Sequence, residues 1–274
     1  MKWIYPIVLI FICMILSCSP QDELKPPTNP YDPDNPDYEL PHASVIGEVD
    51  YGEVIDTSVV TIIWRGNETA YEFSYRCYLD IVESAWSAWT RDTSVILHYL
   101  DEGNYQFDIK ARTNQSVPVE GDANSFHFAV DAVKGLAMMV FPRYKEVSVG
   151  EEFEIEILAE EVDSIMGTEI ELTFDPAIIE VKDVIYGAFM FDGGDLSITF
   201  KEIDNENGKV GIVLVRTSNV NPTVSGTGTL AVLEIEALSV GSTEIAFTDM
   251  CTFRNKDNLP IAIREKTIGI VLVE

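Results

Sequence analysis

The run Asp204-Asn205-Glu206-Asn207-Gly208 is the place in this 274-residue sequence where side-chain types most invite a bound cation. A calcium loop of that general kind needs glycine at its sixth place and a bidentate glutamate at its twelfth. Here glycine stands fifth and Val215 twelfth, so the segment reads as a hairpin turn. Gly226-Thr227-Gly228 lacks the third glycine and the following helix of a dinucleotide loop. His42, His98 and His127 are scattered, and nothing groups them as zinc ligands or as the base of a nucleophile. Carboxylates are plentiful enough to imagine a glycosidase pair, yet most fall on the polar side of alternating segments, where solvation explains them. We therefore expect no enzyme and no catalytic residue. Trp86 and Trp89, in ESAWSAWTRD, offer different chemistry, because indole faces stack on sugar rings. They are the candidate carbohydrate-stacking residues. A spacing of three would place them on opposite faces of a regular strand, so at least one is expected in the core, as is Trp64 within VTIIW.

The charge balance narrows the partners. Eighteen basic residues against 46 acidic ones give a formal charge of −28, which repels nucleic acid and anionic lipid. Lys2 is followed by the apolar run IYPIVLIFICMIL, an export-signal pattern of marginal length for a spanning helix. Ile15-Leu16-Ser17-Cys18 resembles the bacterial lipobox, which implies cleavage before Cys18 and acylation of its thiol; an ordinary signal or an uncleaved anchor is the alternative. A dual-chain anchor holds a protein stably on a bilayer. The expected location is thus the bacterial membrane after export, and Ser19 is compatible with outer-membrane sorting and a place at the cell surface. With Cys13 lost and Cys18 lipidated, Cys77 and Cys251 remain as free thiols in separate domains.

The elements that position these residues read as strands. Residues 19–42 hold all seven prolines between Pro20 and Pro41 with six acidic residues, and are expected to be an extended spacer. From 43 to 132, short alternating segments such as AYEFSYRCYL and NYQFDIKART recur between turn signals. The run LDEGNYQFDIKA resembles the late strands of fibronectin type III and related immunoglobulin-like domains, with Tyr105 in the place of a tyrosine-corner residue. DAVKGL marks the junction, and residues 135–274 form a second series of alternating strands. The fold class is all-β, with two β-sandwich domains: an immunoglobulin-like sandwich and a jelly roll.

Within the second half, VSVGEEFEIEILAEEVDSIMGTEIELTFDPAIIEV, YGAFM, IDNENGKVGIVLVRT and VSGTGTLAVLEIEALSVGSTEIAF follow one another in order. Together they resemble the motifs of a cohesin-type domain. Asp175-Pro176 ends a strand, Asn207-Gly208 suits a tight hairpin, and Gly226 and Gly228 relax the chain where it meets a central strand. The resemblance implies non-catalytic docking of a dockerin-type protein, assisted by calcium, although no residue here is assignable as a calcium ligand or as a cofactor contact. Direct polysaccharide binding and a ligand-free structural role in the envelope remain the alternatives. The immunoglobulin-like domain would then act as a rigid spacer.

Overall fold

A computed structural model describes residues 28–80, 84–191, 197–217 and 220–274. Alternation decides the elements: in β4, Phe73, Tyr75 and Cys77 share one face and Glu72, Ser74 and Arg76 the other. The strands before the junction are β1 (Ala43–Ile46), β2 (Val54–Ile55), β3 (Val60–Gly66), β4 (Glu72–Leu79), β5 (Ser94–Leu97), β6 (Gly103–Arg112) and β7 (Asn124–Val130). They build a three-stranded sheet, β1-β3-β5, and a four-stranded sheet, β2-β7-β6-β4. Trp64 is fully buried between them, its ring 5.5 Å from that of Tyr75 and 6.1 Å from that of Phe107. The buried Tyr105 hydroxyl bonds to the backbone of Asp101, four residues upstream, which is the contact a tyrosine corner makes. Burial also pushes the Cys77 thiol up to about 12, which removes it from thiolate chemistry.

Beyond the junction run β8 (Ala137–Phe141), β9 (Tyr144–Val147), β10 (Glu152–Ile165), β11 (Gly167–Thr173), β12 (Ile179–Tyr186), β13 (Ser197–Asp204), β14 (Lys209–Arg216), β15 (Val224–Ala237), β16 (Gly241–Phe247), β17 (Thr252–Arg254), β18 (Pro260–Ile261), β19 (Glu265–Lys266) and β20 (Gly269–Val273). One sheet has the order β12-β15-β10-β8-β19; the other has β13-β14-β11-β16-β20-β9, with β17 on β11 and β18 on β17. The sole helical turn among the described residues is the 3₁₀ segment Phe189–Phe191. Inward rows from both sheets, including Ile155, Ile157, Leu233 and Ile235 from one and Ile170, Leu172, Ile212 and Leu214 from the other, form one continuous core. The molecule is all-β. The first group of strands has its own core around Trp64, so each group of sheets closes on itself.

Local chemistry explains the boundaries. β11 ends where Asp175-Pro176 interrupts the ladder, and the Asp175 side chain caps the turn by accepting the Ala177 N–H at 2.9 Å. The β13–β14 connection is a four-residue turn, longer than the tight hairpin expected. Gly208 takes a left-handed φ of +64° there, and an added Cβ would lie 2.2 Å from the Phe174 carbonyl oxygen. Asp204, bonded by the Asn207 side chain and backbone, is held below the usual carboxylate range and stabilises the turn.

One expectation changes. Residues 28–42 are not a free spacer but turn against the first sandwich: Thr69 Oγ1 donates to the Glu39 carbonyl and Asn67 Nδ2 to that of Leu40, both at 2.9 Å. Asn35 is buried and its side chain bonds the Asn29 carbonyl and the Asp37 N–H. Asn and Asp side chains here satisfy backbone groups that apolar burial does not have to shelter. Residues 81–83 and the candidate lipidation residue Cys18 lie outside the described residues, as does Cys13.

The outer face of the five-stranded sheet is a grid of carboxylates. Glu152 lies opposite Glu236, and Glu154 opposite Glu234; on the other side of β15, Glu180 and Asp183 face the same two glutamates. Lys182 spans Glu180 and Glu236, and its bonds to those two hold its ammonium above the ordinary range.

Removing the Leu214 side chain tests the closed core. Leu214→Ala is expected to cost roughly 3 kcal/mol, while Ile198→Ala on the exposed side should stay within about 0.5 kcal/mol; urea unfolding of the two variants measures the difference.

Candidate functional site

Strand β13 inverts the usual pattern. Its partner β14 buries Val210, Ile212 and Leu214, and the residues opposite those, Ile203, Lys201 and Thr199, share their face, with Ile203 half-buried and Lys201 and Thr199 exposed at the sheet edge. Ile198 and Phe200 therefore point outward, opposite Val215 and Val213, and are 61% and 55% exposed. The same row continues onto β11, where Gly167 lies beside Val215 and Glu169 beside Val213. The result is an apolar stripe across an edge strand and its neighbours, with Glu169, Glu171 and Glu202 along one side. At the Gly167 end a groove of about 350 Å³ opens between Val213, Val215, Arg254 and Lys256. Large apolar side chains left in water on an otherwise charged face mark an interaction surface. The absence of a Cβ at Gly167 keeps that end of the stripe low.

Lys201 closes the edge beside this face. Its inward ammonium bonds Asp183 and, at 2.7 Å, the Val184 carbonyl on β12, tying the eight-stranded sheet to the five-stranded one. The Lys201 bond and a backbone bond hold the Asp183 carboxyl below its ordinary range.

The sequence-predicted residues fall elsewhere. Trp86 and Trp89 share one face, contrary to the expectation from their spacing. The backbone between them pairs irregularly with β4: Ser87 N–H donates to the Tyr75 carbonyl and Thr90 N–H to the Phe73 carbonyl, so the four residues 87–90 oppose the three residues 73–75. This bulge turns both indoles the same way. They interleave with cations of β4 and β6, Trp86 with Arg76 at 4.7 Å and Lys110 at 4.8 Å, Trp89 with Lys110 at 5.2 Å and Arg112 at 4.4 Å. Each contact contributes about 0.5–1 kcal/mol at a partly exposed site. Carboxylates complete the ladder: Asp108 pairs with Arg76 at 2.8 Å and Glu72 with Arg112 at 2.6 Å. Burial would raise Asp108, but bonds from Gln106, Ser125 and Arg76 hold it below its ordinary value. Cations against the rings compete with any sugar for the same indole faces.

Sequence reasoning missed both Phe200 and the cationic members of the ladder. The signal for the ladder was present in the polar positions of SYRCY and DIKAR, which alternate onto the same side as the tryptophans. His42, His98 and His127 stay apart: His98 lies against Tyr99, and His127 against Tyr51. Among the described residues, no group of three or more His, Cys, Asp or Glu side chains is placed to hold a metal ion. Cys77 and Cys251 are both free thiols.

Comparisons with known proteins bear on the second group of strands. No curated protein matches the chain. Among solved structures, a non-cellulosomal cohesin of the archaeon Archaeoglobus fulgidus aligns at 15% identity and a TM-score of 0.43, over 52% of this chain and 92% of that one. The cohesin OlpC of Clostridium thermocellum, solved as a type I cohesin–dockerin complex, aligns at 21% identity and 0.43, over 53% and 96%. The cohesin OlpA of the same organism, also in a dockerin complex, aligns at 10% and 0.45, over 52% and 100%. The family model described as the cohesin domain matches residues 138–270. That match spans most of the second group of strands, from β8 to β20.

Proposed function

We propose that the chain is a non-catalytic docking protein, exported and lipid-anchored at Cys18, whose C-terminal sandwich seats a dockerin-type protein on the outer face of β13, β14 and β11. The observation that carries this reading is the exposed outward pair Ile198 and Phe200 on a strand that places the polar Thr199 and Lys201 on its core-side face. An edge strand that turns its apolar residues to water breaks the local rule for a sandwich, and such breaks concentrate at functional sites. A flat, preformed sheet face suits a folded protein better than a small molecule, because docking then needs little rearrangement. The glutamates beside the stripe favour a partner that brings basic side chains. The first sandwich, with residues 28–42 folded against it, serves as a stalk between anchor and docking face.

Calorimetric titration of the full chain with dockerin-bearing proteins secreted by its own organism tests the docking face. Binding is expected in the wild type, and Ile198→Asp with Phe200→Asp should weaken it by about a hundredfold without lowering the unfolding midpoint. Failure of the wild type to bind any such protein leaves a ligand-free envelope component; binding untouched by the double variant moves the site elsewhere. The anchor has its own test. Cells fed labelled palmitate should label the wild-type protein and not Cys18→Ser, and the variant should leave the membrane fraction.

A further inference from the structure

The two sandwiches meet through carboxyl groups. Asp101, in the connection between β5 and β6 and only 8% exposed, accepts the backbone N–H of Arg143 in the second sandwich at 2.8 Å. Glu102 accepts the N–H of Val133 in the connecting segment, and Glu161 of β10 accepts that of Gly135 at 2.8 Å. Around these bonds Val133, Ala137, Met139 and Leu158 form a small apolar cluster separate from both cores. Tyr99 stacks on Tyr144 across the junction, ring centroids 6.0 Å apart and 9° from parallel.

The junction holds more negative charge than positive. Glu160 and Asp131 both face Glu102, and Asp131 and Glu161 face Glu160, which is bonded by the Thr227 hydroxyl. On the cationic side, the Arg143 guanidinium faces Asp101, and Arg264 lies against Gly135. Lys134, in the connecting segment, is exposed. The Tyr105 hydroxyl, bonded to the Asp101 backbone, is the remaining titratable group against that side chain.

We propose that this junction is a proton-tightened elbow: the two sandwiches dock at a fixed angle while Asp101, Glu102 and Glu160 carry protons, and loosen as those carboxyls ionise. A protonated carboxyl can accept the Arg143 or Val133 N–H on one oxygen and hold its proton on the other, so the bonds survive while the repulsion among Glu102, Glu160 and Asp131 disappears. At Asp101 the Arg143 guanidinium and N–H favour the ionised form, and burial outweighs them. Burial acts in the same direction, raising Asp101 from 3.8 to about 6 and lifting Glu102 and Glu160 above their ordinary value. A carboxyl whose value is higher in the docked state binds more protons there. Docking is therefore favoured as pH falls, and the advantage is lost as pH rises between 3.8 and about 6.

Amide hydrogen exchange of the full chain at about pH 5 and about pH 7.5, corrected for the intrinsic rate, reads the elbow directly. The Val133 and Arg143 amides are expected to lose about tenfold in protection at the higher pH, while Phe107 and Ile212, in the two cores, hold theirs. Small-angle scattering should show a longer maximum dimension under the same change. Asp101→Asn with Glu102→Gln keeps the carbonyl acceptors and leaves Glu160 as the one group of the three that can ionise, so most of the pH difference at its junction amides should vanish. Equal protection of Val133 and Arg143 in the wild type overturns the proposal. So does a loss that Phe107 and Ile212 share, or a folded double variant that keeps the wild-type difference. Should the double variant fail to fold, the wild-type comparison decides.

Discussion

The inward rows of β10, β15, β11 and β14 share one core, and their burial fixes which side chains are left for water. Because side chains alternate along a strand, hiding Val210, Ile212 and Leu214 obliges Gly211, Val213 and Val215 to face out, and register carries that choice to Ile198 and Phe200. A slip of one residue in β13 would turn Phe200 inward and expose Ile203. The eight-residue ladder between β13 and β14, with Asp204 locking the turn at one end, opposes such a slip. Fold and the outward apolar stripe are thus a single consequence of one packing decision.

Much of this was legible in the sequence. Period-two alternation in FEIEI and TEIELTF placed β10 and β11, the Asp-Pro break marked the end of β11, and the doubly apolar VGIVLV became β14, an interior strand of the larger sheet. What stayed hidden depends on contacts between distant segments. The local pattern SITFKEID has apolar residues on both faces and does not say which face is covered; only pairing with β14 decides. Trp86 and Trp89 misled because the spacing argument holds for a regular strand, and the bulge opposite Phe73 and Tyr75 is set by hydrogen bonds to another strand. The order in residues 28–42 was equally invisible, since it arises from Thr69, Asn67 and Gln115 reaching back across more than 25 positions.

Basic residues are few, 18 in the whole chain, and several of them do structural work at sheet faces. Arg76, Lys110 and Arg112 clamp two indoles against one face of the first sandwich, Lys201 fastens two sheets edge to edge, and Lys182 relieves one corner of the acidic grid. Arg216, fully buried, bonds the Met190 carbonyl at 2.9 Å and the Asn221 carbonyl at 3.1 Å, tying the 3₁₀ turn to the end of β14. Substituting any of these with a neutral residue removes a fastening rather than a surface charge.

The carboxylate grid on the five-stranded sheet places like charges directly opposite one another, an arrangement that works against pairing. Dissolved ions shorten the reach of that repulsion, to roughly 8 Å at physiological ionic strength and about 3 Å in molar salt. The second sandwich therefore grows firmer in brine, whereas folds knitted by exposed ion pairs soften. Two such faces also repel each other in dilute solution, which keeps neighbouring copies from sticking side to side.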